Sequence, residues 1–491
     1  MESIVKRVVN PQMIKVTKVQ PLNMPISLSC EKAEVLSVKG DFYLISQECD
    51  FGRALIKGKA LFTLVTCIAG AYDCYQTFAQ AEIEVVDERI TPSSLVDMCI
   101  KVEECEVLSS NGGGLEVVAQ ISASCCFCAQ TELSLIEDID GAIVKTEEIP
   151  LLSYSDFICE KLSFDGEKSF NYFIEKVLYH KDSLFIHSVT CGMGEVSVEG
   201  EIYTEFLLLK KSGEKITESM LTPFSADLPC DNAQLSCKAF LNACFNGVNF
   251  KISSEEDEES AVIMAEYDLT FNGALTSQIA VNRVIDGFCN SCDLQFNKEE
   301  QDFSVERVTL SQTQKCFGEG DLTLEQSAKV IATMPAECYD LKWERVNGKL
   351  EVSTVIACQV IVEEGEKVRS EKVQLPYTFS LECENDPYSV EGVFKNCIAR
   401  LLEGKCIVEC EGTFVLSCEK KVKNQIVTEV VFGEERQVKS SAISVVFISK
   451  GDDLWTVCKK AGASEQTILN DNPDMVFPAS QDKAVVVYRK L

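Results

Sequence analysis

Along residues 196–206, Val196, Val198, Gly200, Ile202 and Phe206 alternate with Ser197, Glu199, Glu201 and Glu205. A period of two puts the apolar set on one face and the polar set on the other, the mark of a half-buried strand. Extended runs also begin at Ala54 and Leu350. Each of the three follows a similar start by 21 or 22 positions: Ala33-Glu34-Val35-Leu36, Glu175-Lys176-Val177-Leu178 and Ala328-Lys329-Val330-Ile331. A further marker comes 23 to 27 positions after each run begins, at Thr77-Phe78, Pro223-Phe224 and Pro376-Tyr377. Closing strands are expected at 115–127, 261–271 and 405–418. Repeats therefore cover 33–130, 175–272 and 328–418, and long helical patterns are missing from them. Short strands separated by turn residues predict small antiparallel β domains, sandwiches or open barrels.

An N-terminal segment, 1–32, precedes the first repeat. The connectors 131–174 and 273–327 are too long for bare loops and are expected to hold extra strands or docked segments. Residues 253–260 form an acidic run, read as a solvated loop tip, since they lack the ligand spacing and turn glycine of a calcium loop. Polar stretches around Lys420-Lys421 and at 432–441, with one short strand-like run at 426–431 between them, mark 419–444 as a linker. It isolates residues 445–491, a unit with six basic and six acidic side chains expected to make few contacts with the rest.

Charge and cysteine narrow the function. The chain carries 46 Lys+Arg against 77 Asp+Glu, a net charge of −31. Such an excess argues against nucleic acid and against anionic membranes, and for a basic protein partner or simple solubility. Residues 1–10 lack an uninterrupted apolar core, and the apolar stretch 60–72 is too short to span a bilayer. A cytoplasmic protein without membrane insertion is expected. The 25 cysteines are read as reduced, small, buried side chains. Two C-x-x-C pairs, Cys125/Cys128 and Cys289/Cys292, lie too far apart for a zinc ribbon, and in a strand only Cys126 and Cys128 share a face. No metal or cofactor is expected. Only two histidines are present, His180 and His187, with no G-x-S-x-G, H-E-x-x-H or P-loop. The chain is read as not an enzyme, without catalytic residues.

The motif with chemical content is C-terminal. A strand at 445–449 turns at Lys450-Gly451-Asp452, and Asp452 or Asp453 caps a helix beginning at Leu454. Gly462 stops that helix, Ser464 caps a second one, Asn472-Pro473 ends it, and 484–488 closes the unit as a strand. Lys450-Gly451-Asp452-x-Leu454-Trp455, Gly462 and Ile468-Leu469-x-x-Asn472-Pro473 closely resemble a LysM domain. The family's closing Pro-Gly-x-x-Leu is replaced by Pro478-Ala479-Ser480 and an insertion. The resemblance implies a groove that binds N-acetylglucosamine polymers such as peptidoglycan, built here from Gly451, Asp452, Leu454, Asn470 and Asn472. Trp455 and Pro473 complete the expected partner-binding groove, Trp455 serving either the core or the surface. Val476 and Phe477 beside the substituted loop give an apolar edge that favours protein docking over glycan.

With three β repeats, an acidic body and this module, the chain is similar to clostridial SPOCS-repeat (spore coat structural) proteins of the SpoIVA-interacting type. The fold class expected is mainly β: three antiparallel β-sandwich-like repeats followed by a small α/β (βααβ) LysM module. The resemblance implies a mother-cell scaffold located at the forespore surface, joined through its LysM domain to the coat's basement-layer ATPase or another coat protein. Peptidoglycan binding is the alternative.

Overall fold

A computed structural model describes residues 3–26, 34–68, 70–92, 94–109, 115–253, 260–324, 328–334, 336–365, 367–385, 387–435 and 442–488. Most of the acidic run at 253–260 and residues 436–441 of the expected linker lie outside the described residues. The described chain is mainly β, and every strand pairing in it is antiparallel.

Six sheets pack in pairs, because alternating strands bury one face each and need a second layer to cover it. The first pair joins β1 (Ser3–Ile26), β6 (Leu115–Ile139) and β5 (Leu95–Ser109) to β2 (Glu34–Asp50), β3 (Arg53–Ile68) and β4 (Ala71–Val86) around one core. The second joins β7 (Ile143–Phe170), β12 (Ala261–Phe288) and β11 (Lys238–Ser253) to β8 (Ile174–Cys191), β9 (Glu195–Lys210) and β10 (Lys215–Pro229). The third joins β13 (Leu294–Thr323), β19 (Lys405–Phe432) and β18 (Pro387–Leu402) to β14 (Lys329–Thr333), β15 (Glu337–Val346), β16 (Lys349–Glu364) and β17 (Lys367–Leu381).

The alternation read at 196–206 is realised in β9 as far as Ile202; beyond it both faces are covered, and Glu205, expected on the polar face, is buried. Val196, Val198, Ile202 and Phe206 are all buried, each stabilising the core by about 1.5–3 kcal/mol. Gly200 completes that face for a steric reason. A Cβ there would meet the Phe185 carbonyl at 2.3 Å and the Phe224 ring at 2.4 Å.

Several expected boundaries shift. The 1–32 segment supplies β1, which pairs with β6 along its whole length. The connectors supply β7 and β13. Residues 419–432, expected as linker, are the second half of β19, paired with the first part of β13. Polarity misled there. Lys420, Lys421 and Lys423 are exposed on a two-stranded ribbon, and backbone pairing needs no apolar side chain, whereas Ile426 and Val427 farther on are buried.

The three two-layer units close a ring: β4 packs on β8, β10 on β14 and β17 on β2. Leu36, Val65, Leu178, Leu207, Ala332 and Ile361, two from each unit, meet in one central core. Val65, Leu207 and Ile361 stand at the same distance into the three extended runs. Long ribbons from all three units meet in a second cluster, with Leu135, Leu151, Val281, Phe303 and Ile426. Charge also bridges the units. Lys39 Nζ lies 3.1 Å and Lys181 Nζ 3.3 Å from Glu337 Oε1. Burial opposes ionisation of Glu337, but Lys181 and Lys39 outweigh it and hold the carboxyl well below the usual range. A cavity of about 270 Å³ lies at this junction, lined by Lys39, Lys101, Lys181, Glu337 and Glu391 among others.

Candidate functional site

The C-terminal unit is β20 (Ile443–Ile448), α1 (Leu454–Ala461), α2 (Glu465–Asp471) and β21 (Lys483–Tyr488), with β20 and β21 antiparallel. Its turns follow local chemistry. Gly451 takes φ 94°, a conformation that favours glycine. Asp453 is the cap of α1, accepting the Thr456 N–H at 2.7 Å. Gly462 ends α1 in the left-handed conformation, φ 59°. Ser464 accepts the Thr467 N–H at 3.3 Å and opens α2.

The groove residues expected from sequence divide into different roles. The Gly451 N–H donates to the Ala479 carbonyl at 2.8 Å, and the Ala479 N–H returns a bond to the Asp452 carbonyl at 2.9 Å. The turn is thus pinned to the substituted loop. Asp452 Oδ2 accepts from the Ser449 N–H and from Lys460 Nζ. Asn472 is committed to structure: Nδ2 donates to the Ile468 and Val486 carbonyls at 2.9 and 2.8 Å, and Oδ1 accepts the Val486 N–H at 3.0 Å. Asn470 and Pro473 are exposed, and Leu454 is half-buried beside the unit's core.

Trp455 turns away from solvent. It is 8% exposed, its ring centroid lies 5.5 Å from that of Phe288, and Nε1 donates to Asp286 Oδ2 at 2.8 Å. Lys459 Nζ reaches the same oxygen at 2.5 Å, and Asn290 Nδ2 donates to the Gly462 carbonyl at 2.9 Å. Ile143 and Phe288 of the second unit join the C-terminal core. The expected isolation of this unit is therefore corrected: α1 is seated on the end of β12 and on the turn after it. Burial works against the Asp286 carboxylate, but Lys459, Trp455 and the Gly287 N–H outweigh it and lower its pKa.

Sequence reasoning passed over an apolar surface. Ile443, Val445 and Phe447 point outward from β20, opposite Tyr488, Val486 and Ala484 of β21. Phe447 is 80% exposed; of the apolar edge expected from sequence, Val476 is similarly open, whereas Phe477 is half-buried against the unit's core. The alternation Ile443-Ser444-Val445-Val446-Phe447-Ile448 carries the signal, because both faces of the strand are apolar while helices cover only one.

The other candidates resolve as follows. His180 is buried with Nδ1 2.9 Å from Asp182 Oδ2, and His187 is exposed with Nε2 3.2 Å from Glu201. Cys125, Cys126 and Cys128 are all buried, since β6 is covered on both faces there, and burial pushes the Cys126 and Cys128 thiols up to about 12. Every described cysteine is a free thiol. Among the described residues no group of three or more His, Cys, Asp or Glu side chains is placed to hold a metal ion. No described helix is long and apolar enough to cross a membrane. Comparison with protein-family models, with curated proteins and with solved structures gives no match to this chain.

Proposed function

We propose that the chain is a non-enzymatic spore coat assembly protein, with three sandwich-like copies of one β repeat as scaffold and a LysM module that docks a coat morphogenetic protein of the basement-layer ATPase kind. One observation carries the docking: the outward face of β20 and β21, with Ile443, Val445, Phe447 and Tyr488, presents apolar side chains to solvent on a small unit of balanced charge. Contiguous exposed apolar patches mark protein contacts. The scaffold reading is supported by Val65, Leu207 and Ile361, which occupy matching positions and share one core. Glycan binding is disfavoured by Asn472, whose side chain is spent inside the unit, and by Trp455, which faces the second β unit.

The test uses the full chain. It should bind the purified basement-layer ATPase, lose that binding on Phe447→Asp, and fail to sediment with insoluble peptidoglycan. Strong sedimentation competed by chito-oligosaccharide would reverse the reading in favour of peptidoglycan.

A further inference from the structure

The turn between β12 and β13 carries Cys289-Asn290-Ser291-Cys292, and its two thiols stand in unequal settings. Cys289 is partly exposed, whereas Cys292 is buried. The Cys289 sulfur accepts the Ser291 N–H at 3.4 Å and lies 3.0 Å from Ser291 Oγ. It also lies 3.4 Å from the Gly141 carbonyl, to which its S–H donates. Partial burial works to raise the Cys289 pKa, and the bonds from Ser291 and Cys292 outweigh it, so the thiol sits below its ordinary range. Cys292 goes the other way, through burial and the neighbouring Cys289 charge. A more exposed, acidified first cysteine followed by a buried second one is the arrangement that thiol–disulfide exchange requires.

The end of β12 and this turn together hold the C-terminal unit. Asp286, Phe288 and Asn290 make the contacts to Trp455, Lys459 and Gly462, and Asn290 lies between the two thiols. We propose that Cys289 and Cys292 form a reversible dithiol–disulfide pair that sets how the C-terminal unit is seated on the second β unit. The inference does not depend on which partner that unit takes.

The exchange needs a low-molecular-weight disulfide, RSSR, as oxidant. The Cys289 thiolate attacks one of its sulfurs, forming a mixed disulfide and releasing one RSH. The Cys292 thiolate then attacks the Cys289 sulfur and releases the second RSH. Two protein thiols and RSSR become one protein disulfide and two RSH. In the product Cys289 has no S–H to give to the Gly141 carbonyl, so the turn that carries Asn290 loses one of its holds. Because the dithiol turn is already matched to Gly462, the disulfide loosens the seat.

The experiment uses the full chain carrying Trp343→Phe, so that only Trp455 emits. It is equilibrated in oxidised and reduced glutathione, quenched in acid and mapped by mass spectrometry, while iodide quenching reads Trp455. The expected result is a Cys289–Cys292 disulfide, a red-shifted and more quenchable Trp455, and reversal of both by dithiothreitol. Cys292→Ser should accumulate glutathione on Cys289, and Cys289→Ser should leave Trp455 unresponsive. Persistence of the 289/292 dithiol while other thiols oxidise would overturn the pair. A disulfide at this turn with Trp455 unchanged would overturn its control of the seat.

Discussion

Trp455 Nε1 donates to Asp286 Oδ2 at 2.8 Å, joining the first turn of α1 to the end of β12 across 169 positions of chain. The acceptor is a carboxylate shared with Lys459, so the bond is charge-assisted, and the indole is packed against Phe288 at the same point. Asp286→Ala removes the acceptor and leaves a buried indole N–H unsatisfied, a loss of about 1–3 kcal/mol. The seat should open before the body unfolds. Trp455 emission should shift to the red at temperatures where the β sheets remain intact by far-ultraviolet circular dichroism. Simultaneous loss of both signals at an unchanged midpoint would show that the contact contributes nothing.

The central core should behave as one cooperative element. Leu207 is buried among Leu36, Val65, Leu178 and Ile361, which come from all three two-layer units. Leu207→Ala should cost about 2–5 kcal/mol through lost burial and a residual cavity. A single unfolding transition moved to lower denaturant is the expected readout. If only the second unit melts early, as seen by proteolytic fragments, the ring is not closed in solution.

Much of this was written locally in the chain. The period of two is plain in the first half of β9, where one face meets a second sheet and Ser197, Glu199 and Glu201 lie on the other; from Tyr203 onward both faces are buried, and Glu205 and Leu207 are covered by the neighbouring units. The C-terminal boundaries are equally local: Asp453, Gly462 and Ser464 act within their own turns, so the expected helix start at Leu454 agrees with α1. What could not be read depends on partners distant in sequence. Lys420, Lys421 and Lys423 look like linker until β13 lies beside them, and Trp455 looks like a groove residue until Asp286 and Phe288 are brought to it. The C-x-x-C at 289–292 was visible as spacing, but its burial asymmetry comes from the tertiary fold.

Gly200 offers a steric test. Its Cβ would collide with a backbone carbonyl as well as the Phe224 ring, so the neighbour cannot simply rotate away. Gly200→Val should destabilise the second unit by about 1–3 kcal/mol despite adding apolar surface. The checking measurement is chemical denaturation, with Phe224→Ala as a partner substitution. Since the Phe185 carbonyl remains in place, the double variant should recover only part of the loss contributed by the ring.

The last prediction concerns pH and the cavity between the units. Glu391 of β18 lines that cavity, and burial, followed by the nearby Asp97 charge, pushes its pKa up to about 7 from an ordinary 4.5, while Lys101 and Lys15 pull the other way. Because the folded-state value is raised, the folded protein binds more protons than the unfolded chain between these two values. Stability from this group is complete below pH 4.5 and is lost as pH rises through about 7. Glu205 of β9, also raised to about 7 chiefly by burial, adds to the same trend. Glu337 works in a separate window, because its lowered value stabilises the fold above the ordinary carboxyl range and that contribution fades only in acid. Urea midpoints measured across mildly acidic to neutral pH should therefore fall as pH rises. Glu391→Gln, which cannot ionise, should flatten that fall and leave the acid limb set by Glu337 in place. A midpoint that rises with pH over this interval, or a slope unchanged in the glutamine variant, would mean that Glu391 is ionised in the folded protein throughout.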